Sequence, residues 1–426
     1  MKGVVETLRD RGLIEAETSD EISSIVEKNT PIKLYCGFDP TADSLHLGHM
    51  VAIMGLSWFR RFGHAPFALV GGATGLIGDP SGKSVERVLL TNEQLTENVK
   101  GIRTTLEAIL GRVGGPKEIV MVNNRDWFEP MGCIEFLRDI GRHFRVGTMI
   151  SRESVRQRLA SEEGLSYTEF SYQLLQSYDF YHLFEKHGVT LQLGGSDQWG
   201  NITAGIDLVR RLTGKEVYGL TFPLLVKSDG KKFGKSESGA VWLSESRLSV
   251  YDFYQYLFRV SDDDVIRLLK ALTFIDLSEI DALEKSMKSS SYIPNTAQKR
   301  LADEVTRLVH GEEGLSRALR ITEHAMPGQE KSQLSIDAIY EMRGHVPTAT
   351  LPKLEVIGCR VCDILSSSGF SPSRAEARRL IKNGGVRIGE RKISDELDTI
   401  QVEDVVEGQF VVFSLGKKNR AILELS

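Results

Sequence analysis

The sequence predicts an α/β fold built on a parallel sheet, followed by a helical region and a small α+β module. Short, continuous apolar runs recur and end in glycine or asparagine: IKLYCGF (32–38), APFALVGGATG (65–75), IVMVNN (119–124) and VTLQLGG (189–195). Segments of helical period separate them, as in HMVAIMGLSWFRRFG (49–63), which closes on Gly63. After about residue 247 the glycine-bearing strands stop. Unbroken apolar strands alternating with helices imply a parallel sheet covered on both faces. Ligands of such sheets bind beyond the carboxyl ends of the strands, where the unusual loops of this sequence lie.

Taken in order, the first strand runs into the turn-like DPTADS, and the later ones into glycine-rich loops. VYDFYQYLFRV, DDDVIRLLKALTF and NTAQKRLADEVTRLVHG have amphipathic helical spacing and define a helical domain over 247–325. MPGQEKSQ and RGHVPTATLPK read as loops, so 326–353 is expected to be a linker. From 354, VCDILSSSGF and SPSRAEARRLIKNGG predict helices, while VRIGERK, QFVVFSLGKK and NRAILEL predict short strands. The expected organisation is a sheet domain at 1–228, a loop segment at 229–246, the helical domain, the linker, and a small α+β domain at 354–426.

Composition fits this picture. The 426 residues are 41% hydrophobic and 26% charged, with a formal net charge of −5, which argues against a wholly basic nucleic-acid coat. Cys36, Cys133, Cys359 and Cys362 are too few for a disulfide framework and favour a reducing compartment. Cys359 and Cys362 have zinc-like spacing, but no second Cys or His pair follows them, so no tightly bound metal is expected. The N-terminal MKGVVETLRDRGLIEAET has no apolar signal core, and no run reaches the ~18 apolar residues of a membrane span. A cytoplasmic location is expected.

Five stretches carry chemistry. In LHLGHM (45–50), His46 and His49 are three apart, without the His-Glu-x-x-His spacing of a helical zinc site. Gly48 reads as a mid-helix glycine, which costs about 1 kcal/mol relative to alanine and points to a close ligand. Free N–H groups at a helix start suit a phosphate, although a pair of core histidines fits the same pattern. GDPSGKS (78–84) resembles a P-loop, but the required first glycine falls on Ile77. Lys83 and Arg87 remain candidates to meet a leaving phosphate, or else belong to a solvated loop. DGKKFGKSESG (229–239) offers Lys232, Lys235 and Ser236 to polyphosphate. LQLGGSDQWGNI (191–202) places Asp197 and Gln198 after a buried strand. In YTEFSYQLLQSYDFYHL (167–183), Tyr172, Gln176 and Asp179 fall on one helix face, as a pocket or as a structural network.

Together these segments resemble the bacterial tyrosyl-tRNA synthetases, a class I family. HLGH is similar to the class signature HIGH, and KFGKS (232–236) to its KMSKS loop without the Met-Ser. The order and spacing of the other segments, and an S4-like terminal module, extend the resemblance over nearly the whole chain. It implies a Rossmann-like catalytic domain, an α-helical tRNA-binding domain and an S4-like RNA-binding domain. It puts Tyr35 and Asp179 at the phenol hydroxyl of bound tyrosine, and Asp79, Tyr172, Gln176 and Asn124 around its amino group. Gln198 would approach the carboxylate, and Asp39, Gly48 and Asp197 the adenosine ribose. His46, His49, Lys83, Arg87, Lys232, Lys235 and Ser236 would face the phosphates, with Thr41 beside His46.

The implied reaction joins tyrosine to ATP as tyrosyl-adenylate, releases magnesium pyrophosphate, and passes tyrosine to the terminal adenosine of tRNA. No enzyme nucleophile is required; positioning and charge stabilisation suffice. The resemblance also implies a homodimer. Between 374 and 392, seven basic residues (Arg374, Arg378, Arg379, Lys382, Arg387, Arg391, Lys392) face two acidic ones, an excess of five positive charges suited to RNA phosphate. A tryptophanyl-tRNA synthetase is the near alternative, and an RNA-binding protein on a degenerate synthetase core the distant one.

Overall fold

The computed structural model describes residues 2–28, 31–81, 90–161, 164–230, 233–236, 239–325, 336–343, 345–416 and 419–426. Strands β1 (Ala16–Glu17), β2 (Lys33–Phe38), β3 (Ala65–Val70), β4 (Val120–Asn123), β5 (Val189–Gly195) and β6 (Tyr218–Phe222) form one sheet, ordered β1-β6-β5-β2-β3-β4. The pairs joining β2 to β6 are parallel, as the continuous apolar runs require. β1 adds an antiparallel edge against β6 that two residues are too short to announce by periodicity. β3 and β4 lie on one side of β2, and β5 and β6 on the other. The order therefore reverses between β2 and β5, which opens a crevice at their carboxyl ends.

Helices α1 (Met50–Arg61), α2 (Asn92–Arg112), α3 (Tyr167–His187) and α4 (Trp199–Thr213) connect these strands. α1 is shorter than the expected 49–63 because Leu47–His49 form a separate 3₁₀ turn. Gly48 lies in that turn and not inside the α-helix, so the helix-interior penalty does not apply to it. Ser166 caps α3 by accepting from Glu169 N, and Gly188 ends it with φ 70°. Tyr35, Phe67, Phe180, Leu183 and Val209 pack between the sheet, α3 and α4.

Past β6, β7 (Lys235–Ser236) and β8 (Gly239–Ala240) form a small antiparallel hairpin. Helices α5 (Val250–Phe258), α6 (Asp262–Leu272) and α7 (Thr296–Ala325) follow. The chain resolves into two compact units, Met1–Ser249 with Gln255–Gly311, and Val250–Tyr254 with Glu312–Ser426. α7 is interrupted at the boundary by Gly311, whose φ 77°, ψ 179° only glycine tolerates readily. Most of the expected helical domain thus packs with the parallel sheet.

In the second unit, β9 (Thr348–Leu351), β10 (Val386–Ile388), β11 (Arg391–Ile393), β13 (Phe410–Leu415) and β14 (Asn419–Leu425) are ordered β11-β10-β13-β14-β9, with β12 (Val405–Val406) beside β13. β9 comes from the segment expected to be a linker, and pairs parallel to β14. Helix α8 (Arg374–Lys382) buries Ala377 and Ile381 against this unit's core. Among the described residues no helix is long and apolar enough to cross a membrane.

Candidate active site

Just beyond β2, Asp39 faces α3. Tyr172 Oη donates to Asp39 Oδ2 at 2.7 Å, and Thr74 Oγ1 donates to Asp39 Oδ1 at 2.8 Å. Asn124, at the end of β4, extends the network: its Nδ2 donates to Thr74 Oγ1 (2.9 Å) and to Asp179 Oδ2 (3.2 Å). Its Oδ1 accepts from Ala73 N at 2.7 Å. Trp127 Nε1 donates to the remaining oxygen of Asp179 at 2.8 Å, while its ring stacks on His182. Asn124 is fully buried and commits both amide hydrogens here. It therefore links Asp179 to Thr74 and, through Thr74, to Asp39. Asp39 likewise joins Tyr172, with both carboxylate oxygens engaged.

Burial pushes the Asp179 carboxyl up to about 8, with Asp39 adding to the rise and the Asn124 and Trp127 donors opposing it. Burial, reinforced by Asp179, also holds the Tyr35 phenol well above its usual range. Between pH 4 and 8 the folded chain keeps the Asp179 proton that the unfolded chain has released, so this group's contribution to stability falls as pH rises. Asp179→Asn is expected to flatten the decline in melting temperature between pH 5 and 8 and to gain most at pH 8. Parallel melting curves for the two proteins across that range would contradict the buried-carboxyl assignment.

A second group forms where β5 meets α4. Asp79 Oδ2 accepts from Gln198 Nε2 at 2.7 Å, and Asp79 Oδ1 from Ser81 N at 3.0 Å. Asn201 Nδ2 reaches Asp79 Oδ1 (3.4 Å) and Gln198 Oε1 (3.3 Å). The Tyr35 hydroxyl and Gln176 Oε1 are buried without a hydrogen-bond partner among the described residues. Unsatisfied buried polar atoms are uncommon in folded proteins, and both lie among groups that suit a small polar ligand.

The HLGH turn forms the third group. His46 Nδ1 accepts from Gly48 N at 3.1 Å, and His49 Nδ1 accepts from His46 N at 3.1 Å. The imidazole centroids are 4.0 Å apart. Leu47 N donates to Val241 O at 2.8 Å, and Val241 N to Gly234 O at 2.8 Å, so the glycine of KFGKS packs beside the turn. A Cβ on Gly234 would lie 3.0 Å from Gly48 N. Leu47 and Gly48 thus meet the backbone of the second motif. Lys83, Arg87 and Lys232 lie outside the described residues, as do the side chains of Lys235 and Ser236. Thr41 and Asp197 are exposed, with Thr41 N donating to Asp39 O at 2.9 Å.

Arg374, Arg378, Arg379 and Lys382 are exposed on α8. Arg374 pairs with Asp363, Arg379 with Glu376, and Lys382 with Glu396; Arg391 pairs with Asp404. Three of these carboxylates come from outside the segment counted in the sequence, so the local excess falls from five charges to two. Thr74, Trp127 and Asn201 were not singled out from the sequence. Asn201 follows Gln198 by three residues, a spacing that signals one helical face, whereas Thr74 and Trp127 join the site only through the fold.

Among the described residues no group of three or more His, Cys, Asp or Glu could hold a metal ion. Residues 27–326 match the family described as tRNA synthetases class I (W and Y), and residues 338–423 the tyrosine–tRNA ligase SYY-like C-terminal domain. The chain is 54% identical to a tyrosine–tRNA ligase of Protochlamydia amoebophila, over 100% of this chain and 99% of that protein. It is 51% identical to the chloroplastic/mitochondrial tyrosine–tRNA ligase of Arabidopsis thaliana, over 99% of this chain and 84% of the relative. A C-terminally truncated mitochondrial tyrosyl-tRNA synthetase from Aspergillus nidulans superposes with a TM-score of 0.67 at 32% identity, over 75% of this chain and 92% of that one. With its parallel sheet, its HLGH and KFGKS segments and a C-terminal match specific to the tyrosine enzymes, the chain belongs to the class I tyrosyl-tRNA synthetases.

Proposed function

We propose that this ligase reads the tyrosine hydroxyl with Tyr35 and Asp179 and meets ATP phosphate with the HLGH and KFGKS segments. The buried Asp179 network is the observation that carries the reading. Trp127 and Asn124 hold the carboxyl group by two donors, and the Tyr35 hydroxyl beside it needs a partner. Asp79, Tyr172, Gln176 and Gln198 would hold the amino and carboxylate groups; Asp39 and Asn124 would orient Tyr172 and Asp179. Gly48 and Asp197 would adjoin the ribose. The tyrosine carboxylate then attacks the α-phosphate in line and pyrophosphate departs. His46, His49, Thr41, Lys83, Arg87, Lys232, Lys235 and Ser236 would stabilise the charge growing on the phosphates. Magnesium would arrive with the polyphosphate as part of the substrate.

The second unit would bind structured tRNA through α8 and neighbouring basic residues. Replacing Arg374, Arg378 and Lys382 together with alanine is expected to weaken tRNA binding and reduce its log–log salt slope by about 2. ATP–pyrophosphate exchange with tyrosine should stay intact while tRNA charging falls. Equal loss of both steps would contradict a separate RNA role. A homodimer is supported by exposed apolar side chains from the end of β4 to the first residue of α3, among them Ile134 (77% exposed), Val146 (59%) and Tyr167 (73%). A sedimentation mass of one chain would contradict it.

A further inference from the structure

The geometry points to Tyr256 on α5 as a positioning residue for the KFGKS segment, anchoring Gly234 beside the HLGH turn. The inference rests on the reading that this segment meets ATP phosphate. Gly234 N donates to Tyr256 Oη at 3.1 Å. The Tyr256 ring packs against Phe233, centroids 5.6 Å apart, and Phe233 is itself buried at 4% exposure. Lys227 Nζ lies over the Tyr256 ring, 5.6 Å from its centroid.

Two neighbouring backbone groups have fixed partners of their own. Phe233 N donates to Leu225 O at 2.9 Å, and Gly234 O accepts from Val241 N at 2.8 Å. Gly234 N is therefore satisfied by a side chain, where its neighbours are satisfied by backbone. Its φ of 83° turns the chain sharply, and the 3.0 Å approach of its virtual Cβ to Gly48 N leaves no room for a side chain. One phenol thus fixes the residue that separates Phe233 from Lys235, at the point where the second motif touches the first. Without the hydroxyl, a buried N–H loses its partner, and the turn loses the contact that holds its direction. Tyr256 touches no reacting atom in this scheme. It sets where the lysine-bearing backbone starts.

The test is Tyr256→Phe, which keeps the ring on Phe233 and removes only the acceptor. One hydrogen bond contributes about 0.5–1.5 kcal/mol net, or roughly two- to tenfold in rate. The kcat of tyrosine-dependent ATP–pyrophosphate exchange should fall by that factor. The tyrosine dissociation constant, measured without ATP, should stay unchanged. Unaltered kcat and KM for ATP would overturn the assignment, as would a matching loss of tyrosine affinity, which marks a general structural effect. Lys235→Ala measured alongside separates the two claims. Loss with Lys235→Ala and none with Tyr256→Phe overturns the anchor alone; no loss with Lys235→Ala overturns the phosphate reading beneath it.

Discussion

Asp179→Ala is expected to lower kcat/KM for tyrosine activation by about 10²–10³ while leaving the weak activity on phenylalanine nearly unchanged. Two effects combine. The substrate hydroxyl loses its buried acceptor, which lowers the tyrosine rate alone, and Trp127 Nε1 and an Asn124 hydrogen lose theirs whichever amino acid is bound, at a cost to the fold of about 1–3 kcal/mol each. A site that pairs a substrate hydroxyl rejects the analogue lacking it by about 10⁴–10⁵, a range whose reference case is the tyrosyl-tRNA synthetases themselves. The variant should therefore give up most of that ratio. Parallel steady-state measurements with the two amino acids decide. An unchanged ratio, whatever the loss in rate, would place recognition of the hydroxyl elsewhere.

The second large effect is expected at His46. Its Nδ1 accepts from Gly48 N, so it caps the turn as well as standing in the segment proposed to meet phosphate. His46→Ala removes both contributions, and His46→Asn supplies another capping acceptor while losing the imidazole. Adenylate formation should fall by about 10²–10³ in kcat for both, the size found when one donor to a developing charge is removed. Only the alanine variant should also lose stability, by about 1 kcal/mol. If His46→Asn restores both rate and stability, capping is the residue's whole contribution.

The elements legible in the sequence are those fixed by burial. β2, β3 and β5 are buried along most of their length, so their apolar runs are continuous, whereas the edge strand β4 is only half-buried and is marked by its apolar run and closing asparagine. The face of α3 that carries Tyr172, Gln176 and Asp179 follows from helical spacing alone. Gly48 was misplaced because a 3₁₀ turn leading into an α-helix has the same local spacing as the helix itself. Trp127 and Thr74 could not be found that way: each bonds to an acidic residue distant in sequence, and only the sheet order brings them together. The same holds for β9, whose partner β14 lies at the other end of the second unit. Charge counting over 374–392 missed Asp363, Glu396 and Asp404 for that reason as well.

The central claim, that a buried polar network selects tyrosine for activation by phosphate-binding segments, is tested most directly by amino-acid-dependent ATP–pyrophosphate exchange. Tyrosine, phenylalanine and tryptophan would be compared on the unaltered protein. The expected result is robust exchange with tyrosine, kcat/KM lower by about 10⁴ or more with phenylalanine, and none with tryptophan. Exchange driven by tryptophan, or by phenylalanine at a rate near that of tyrosine, would contradict it.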